Sequence, residues 1–135
     1  MAGYSGTPLP KKLGINDGTR VALVNAPAGF DDTLGALPDG VVVARRAGAS
    51  HDVIVVFVKQ RAALEKALPK LEQAIFPVGA IWTAWPKKAS KVPTDITEDT
   101  VREVCLPRGL VDVKVCAIDD VWSGLKLVWR KELRG

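Results

Sequence analysis

The chain is poor in the residues that most often advertise chemistry. It carries one histidine, His51, and two cysteines, Cys105 and Cys116, in 135 residues. Neither cysteine belongs to a CxxC pair, and a zinc site needs three or four Cys, His or carboxylate ligands. No metal site is therefore expected, and the two thiols read as reduced and buried. A GxSxG elbow is absent, which removes the usual support for a Ser–His–acid triad. No apolar run approaches the ~18–20 residues that span a bilayer. The N-terminal stretch MAGYSGTPLPKKLGI lacks the continuous apolar core of a signal peptide. These absences lead to the expectation of a soluble, cytoplasmic protein with no membrane partner.

What is present suits an ordinary globular domain. Apolar residues make up 47% and charged residues 25%, which excludes a disordered chain. The length is close to the commonest size for one domain and allows one sizeable core. The formal charge is +4, spread over small groups such as Lys11-Lys12, Arg45-Arg46, Lys87-Lys88 and Arg130-Lys131. So mild a basicity permits phosphorylated or nucleic-acid partners without requiring them.

Period and punctuation place the elements. Residues 1–19 read as a loop packed on the body. Arg20–Asn25 (RVALVN) is apolar on both faces, as buried parallel strands are. Pro27, Ala28 and Gly29 punctuate the chain before a short helix, about Phe30–Leu37. Val41–Arg45 is a second strand. Asp52–Lys59 (DVIVVFVK), with six consecutive β-branched or aromatic residues, belongs at the sheet centre. Gln60–Phe76 has the helical period, with a kink or split expected at Pro69. Ala80–Trp85 is a strand, and Pro86–Pro93 a basic loop. Thr97 is a candidate N-cap for a helix reaching about Leu106. Val111–Asp119 and Trp122–Lys131 alternate in polarity and form an antiparallel hairpin, whose last strand could be an exposed edge open to homodimer formation.

The expected fold is therefore a single three-layer, Rossmann-like α/β domain over residues 1–135. Its sheet of about six strands is mostly parallel and ends in the antiparallel hairpin. Right-handed crossovers put the second strand on one side of the first and the third on the other. In such open sheets, ligands bind beyond the carboxyl ends of the strands at that switch point. Here it is bounded by Asn25–Phe30, by Lys59–Arg61 and by the Trp85–Lys91 loop.

This strand order resembles a reduced S-adenosylmethionine-dependent methyltransferase core, which also closes a parallel sheet with an antiparallel hairpin. The resemblance implies a glycine-rich turn after the first strand and an acid at the end of the second. This chain has VNAPAGF, with Gly29 as its one glycine, and Arg45-Arg46 in place of the acid. A closer resemblance is carried by SGTPLPKKLGI, WPKKAS, TEDTVRE and KVCAIDDVWSGLKLV. These segments are similar to a family of short bacterial proteins known as domain of unknown function 3052. That resemblance implies a small cytosolic bacterial protein and supplies no catalytic residues.

The candidate ligand-binding residues are Asn25, Gly29, Arg45, Trp85, Lys87, Lys88 and Lys91. Trp85 and the lysines stand at a strand's carboxyl end, where ammonium groups could neutralise a phosphate or carboxylate and an indole could stack on a ring. The same loop also reads as solvated surface with Trp85 half buried. Arg45 could receive a phosphate, as arginines do near the second strand of dinucleotide-binding domains. Asp119 and Asp120 could hold a metal, but Asp is a routine turn residue and no third ligand is evident. His51 precedes the central strand, at the end away from the crevice, and reads as a surface or structural histidine. Cys105, late in a helix, reads as inert. Trp122, Lys126 and Arg130 share a strand face, which suits burial as well as a nucleic-acid platform.

With cofactor and catalytic signatures thin, the leading expectation is a non-catalytic module binding a small anionic ligand or a protein partner, with no cofactor and no catalytic residue. The alternative is a divergent methyltransferase-like enzyme using S-adenosylmethionine. A second alternative is weak nucleic-acid binding. Either a monomer or a homodimer is compatible with this reading.

Overall fold

Six strands form one sheet. The computed structural model describes residues 7–135. Strands β1 (Arg20–Val24), β2 (Val42–Ala44), β3 (Val53–Phe57) and β4 (Ala80–Pro86) run parallel. Strand β6 (Trp122–Trp129) joins β4 antiparallel, and β5 (Leu110–Ala117) pairs outside it, so the sheet order is β2-β1-β3-β4-β6-β5. The switch between β1 and β3 lies where the sequence puts it.

Helices cover both faces. On one side, α3 (Arg61–Ile75) and α4 (Glu98–Cys105) pack on the sheet. On the other lie α1 (Leu9–Lys12) and α2 (Phe30–Leu34). Strand β3 is buried on both faces because its alternation serves both cores. Val53, Val55 and Phe57 face α1 and α2, whereas Ile54, Val56 and Val58 face α3 and α4. Leu64, Leu68, Leu71 and Ile75 form the buried stripe of α3, each contributing about 1.5–3 kcal/mol of burial.

Four local expectations are corrected. The segment 1–19 is not all loop: Leu9–Lys12 is helical, and Leu9, Leu13 and Ile15 are buried; residues 1–6 lie outside the described residues. Helix α3 neither splits nor stops at Pro69. Pro69 sits on the exposed face, so the carbonyl it leaves without a donor faces water, while the buried stripe holds both halves on one core. Helix α2 ends earlier than expected, at Gly35. The last strand is not the sheet edge. Strand β6 is interior and β5 is the edge, because β6 takes the free side of β4.

The hairpin also holds a bulge. Its register slips between Asp112 and Lys114, so Val113 is an extra residue. Leu110 and Cys116 are an even number of residues apart, yet Leu110 packs toward α3 and α4 and Cys116 toward α1 and α2. The extra residue turns the strand over. Thr97 does cap α4: its Oγ1 accepts from the Thr100 N–H at 3.3 Å, and its own N–H donates to Thr100 Oγ1 at 3.1 Å.

Candidate functional site

The parallel strands all end at one rim of the sheet, and three cavities lie along it. The first, of about 480 Å³, is bounded by the β1–α2 turn and Arg45 at the end of β2. The second, of about 590 Å³, lies over the ends of β1 and β3 and reaches Trp122. The third, also about 590 Å³, lies beyond β4. Asn25 and Pro27 line both the first and the second. Pro93 and Thr94 line both the second and the third. The three are chambers of one crevice. Volumes of about 300–1,000 Å³ are typical of small-molecule sites.

The β1–α2 turn shapes the first chamber. Asn25 leaves β1 with φ +59°, an uncommon backbone for a residue with a side chain. Among the described residues its amide has no hydrogen-bond partner. Gly29 opens α2 at φ +83°, and the position its missing Cβ would take has no atom within 4 Å. A ligand can therefore approach the backbone there without obstruction. In the first turn of α2, Asp31 lines the same chamber. Arg45 donates to both of its carboxylate oxygens, at 2.9 and 2.8 Å. These bonds, more than simple charge, hold the Asp31 carboxyl below its ordinary range. Arg45 is thus already engaged with a carboxylate, rather than presenting a free fork to a phosphate.

Aromatic rings floor the first two chambers. Phe30 meets Phe57 edge-to-face at 4.8 Å, and Phe57 meets Trp122 at 5.1 Å. Above them stand Lys59 and Gln60, whose side chains have no partners among the described residues. Asp95 accepts from the Arg61 N–H at 2.7 Å, and Thr94 donates to the Lys59 carbonyl at 2.6 Å. These two bonds tie the wall between the second and third chambers to the start of α3.

The third chamber is built on the loop after β4. The Lys87 N–H donates to the Val121 carbonyl at 2.7 Å, and Ser90 Oγ donates to the Lys87 carbonyl at 2.7 Å. Trp85 is 6% exposed, so it is a wall and not a stacking platform. Lys87 is half-buried, and Lys88 and Lys91 are exposed.

The seven expected ligand residues thus fall into two groups. Asn25, Gly29 and Arg45 meet at the first chamber. Trp85, Lys87, Lys88 and Lys91 meet at the third. Only Asn25 reaches the chamber between them. Sequence reading passed over Asp31, whose signal was an acid pair, Asp31-Asp32, directly after the strand–turn. It also left Trp122 to the general core, although that residue walls the central chamber.

The remaining candidates serve structure. Asp119 Oδ1 accepts from the N–H groups of Val121 and Trp122, both at 2.8 Å, so it holds the hairpin turn. His51 Nε2 accepts from the Gly48 N–H at 2.8 Å, at the strand ends opposite the crevice. Both cysteines are buried and free; burial pushes the Cys105 thiol up to about 12 and raises that of Cys116. No helix among the described residues is long and apolar enough to cross a membrane.

No family model matches the chain, which leaves the resemblance to domain of unknown function 3052 without support. No curated protein matches it either. Solved structures do. A SAM-dependent methyltransferase from Aquifex aeolicus is similar with a TM-score of 0.62 at 17% identity, over 87% of this chain and 85% of that one. The Methanococcus jannaschii fibrillarin pre-rRNA processing protein also scores 0.62, at 13% identity over 91% and 69%. The DhpI–SAH complex scores 0.59, at 10% identity over 92% and 83%. At such identities the likeness is one of fold, and it bears out the Rossmann-like, methyltransferase-like architecture. It corrects the expectation of a non-catalytic module: the structures sharing this fold include a SAM-dependent methyltransferase, a ribosomal protein L11 methylase and a putative type 11 methyltransferase. The methyltransferase-like alternative is the better supported reading.

Proposed function

We propose that this chain is a methyltransferase that holds S-adenosylmethionine across the first two chambers of the crevice. The observation that carries this reading is the pair of chambers astride the β1–α2 turn, sharing Asn25 and Pro27, with the Asp31 carboxylate in the first. The residues fit such a molecule. There is room of the right order, an unobstructed backbone at Gly29, and an ionised acceptor for ribose hydroxyls. The acid has moved from the end of the second strand to the first turn of α2, and Arg45 at that strand end orients it.

The bound cofactor would supply an activated methyl group. The protein's task is then placement and exclusion of water more than proton transfer. Asp31 accepts hydrogen bonds from the ribose hydroxyls, and the ammonium of Lys59 suits a carboxylate at the far end of the ligand. The amide of Asn25 stands at the junction of the two chambers. The rings of Phe57 and Trp122 form an apolar floor, and such faces favour cations.

Titration calorimetry with S-adenosylhomocysteine tests the reading. The expected result is one saturable site per chain, weakened about tenfold or more in Asp31→Asn. At a hundredfold excess over Kd the ligand should stabilise the fold by about 2.7 kcal/mol. No heat and no shift in melting temperature would remove the proposal.

A further inference from the structure

We infer that the third chamber is an anion subsite, built to hold the phosphate or carboxylate of a small acceptor molecule with an apolar body. The inference rests on the methyltransferase reading for the word acceptor, and on the structure of the chamber for the rest.

Three observations carry it. First, the chamber continues the crevice, since Pro93 and Thr94 wall both it and the central chamber. A molecule seated there can extend toward the ends of β1 and β3. Second, the chamber's charge is unbalanced. Lys87, Lys88 and Lys91 all line it, and among the described residues none of the three ammonium groups has a partner. The chamber's one carboxylate, Glu98, is bonded by Arg102, which also binds Asp99 at 3.1 Å and Asp112 at 3.0 Å. Third, the lysine loop is held in place. Besides the bonds of Lys87 and Ser90 already described, Lys91 is kept at φ +61°, a backbone that costs energy for a residue with a Cβ.

The other lining residues set the shape of the ligand. Trp85, Pro86, Val92 and Ile96 present apolar surface. A cavity with apolar walls and three lysines in its lining suits a small molecule with a flat or aliphatic body and one anionic end. They do not suit a nucleic-acid strand. Strand binding uses exposed aromatic platforms between basic residues, and Trp85 is buried.

Phenyl phosphate is the probe, followed by nitrogen–proton NMR on the full chain. The expected result is saturable shifts confined to residues 85–98 and Ser123, including the Trp85 indole N–H. Affinity should fall about tenfold or more in the triple variant K87A/K88A/K91A, whose circular dichroism and melting stay as in the parent. Phenol, which lacks the anion, should shift nothing. Shifts scattered over other lysines, equal affinity in the triple variant, or equal binding of phenol would each overturn the inference. So would a single-stranded RNA oligomer that binds these residues more tightly, with affinity falling steeply as salt rises. S-adenosylhomocysteine is titrated separately. Phenyl phosphate binding without S-adenosylhomocysteine binding keeps the anion subsite and removes the methyl-transfer reading.

Discussion

Arg45 reaches across the β1–α2 turn and binds Asp31 with both arms of its guanidinium, at 2.9 and 2.8 Å. The pair stands at the surface, at the mouth of the first chamber. Exposed pairs contribute little to stability and are screened by salt. Its geometric consequence is larger: it fixes the orientation of a carboxylate that lines the first chamber.

Substitution of Arg45 by alanine should therefore leave melting unchanged and weaken S-adenosylhomocysteine. The Asp31 carboxyl should titrate nearer its ordinary range once the guanidinium bonds are gone, as NMR of the side-chain carboxyl would report. Because Arg45 acts through Asp31, the double variant with Asp31→Asn should bind no worse than Asp31→Asn alone. Additive losses would mean that Arg45 touches the ligand independently.

Trp82 is fully buried, and its indole N–H donates to the Leu13 carbonyl at 3.0 Å. This bond ties the N-terminal segment to the centre of the sheet. Trp82→Phe removes the donor and strands a buried carbonyl, which should cost about 1–3 kcal/mol in urea unfolding. Amide exchange should rise first around Leu9–Ile15.

Thr83 is 0% exposed on β4, and its hydroxyl has no partner among the described residues. Burial of an unpaired hydroxyl is unfavourable. Thr83→Val keeps the β-branched shape and removes the polar atom, so stability should rise by about 1 kcal/mol. A fall in the urea midpoint would show that the hydroxyl has a use in the native state.

His51 is held below its usual 6.5, first by burial and then by the nearby positive charge of Arg20; Asp52 opposes them weakly. The folded state therefore resists protonation more than the unfolded chain does. Stability should be full above about pH 6.5 and should decline as the pH falls through that value toward the folded pKa. The chain has one histidine, so this slope belongs to it. His51→Gln should flatten the dependence of the urea midpoint between about pH 7.5 and 5.5.

Much of the architecture is local enough to read from the chain. Six apolar residues over Val53–Val58 require a strand buried on both faces, and β3 is one. Thr97 announces α4 because its cap is formed by residues three apart. The switch between β1 and β3 follows from alternation of strands and helices and from the hand of the crossovers. That was sufficient to foresee the rim where the parallel strands end, and to group Asn25 with Gly29 and Trp85 with Lys87, Lys88 and Lys91 along it.

Other features depend on residues distant in the chain, and only tertiary structure decided them. The partnership of Asp31 with Arg45 needs α2 and the end of β2 to face each other across the turn. The unbroken course of α3 through Pro69 depends on which side of the helix meets the core. The reversal of face within β5 comes from an extra residue opposite β6, invisible in a pattern read along one strand. The joining of the second and third chambers rests on Pro93 and Thr94, which have no motif; Thr94 and the adjacent Asp95 are placed by bonds to Lys59 and Arg61. Sequence specifies such features only through the distances that folding creates.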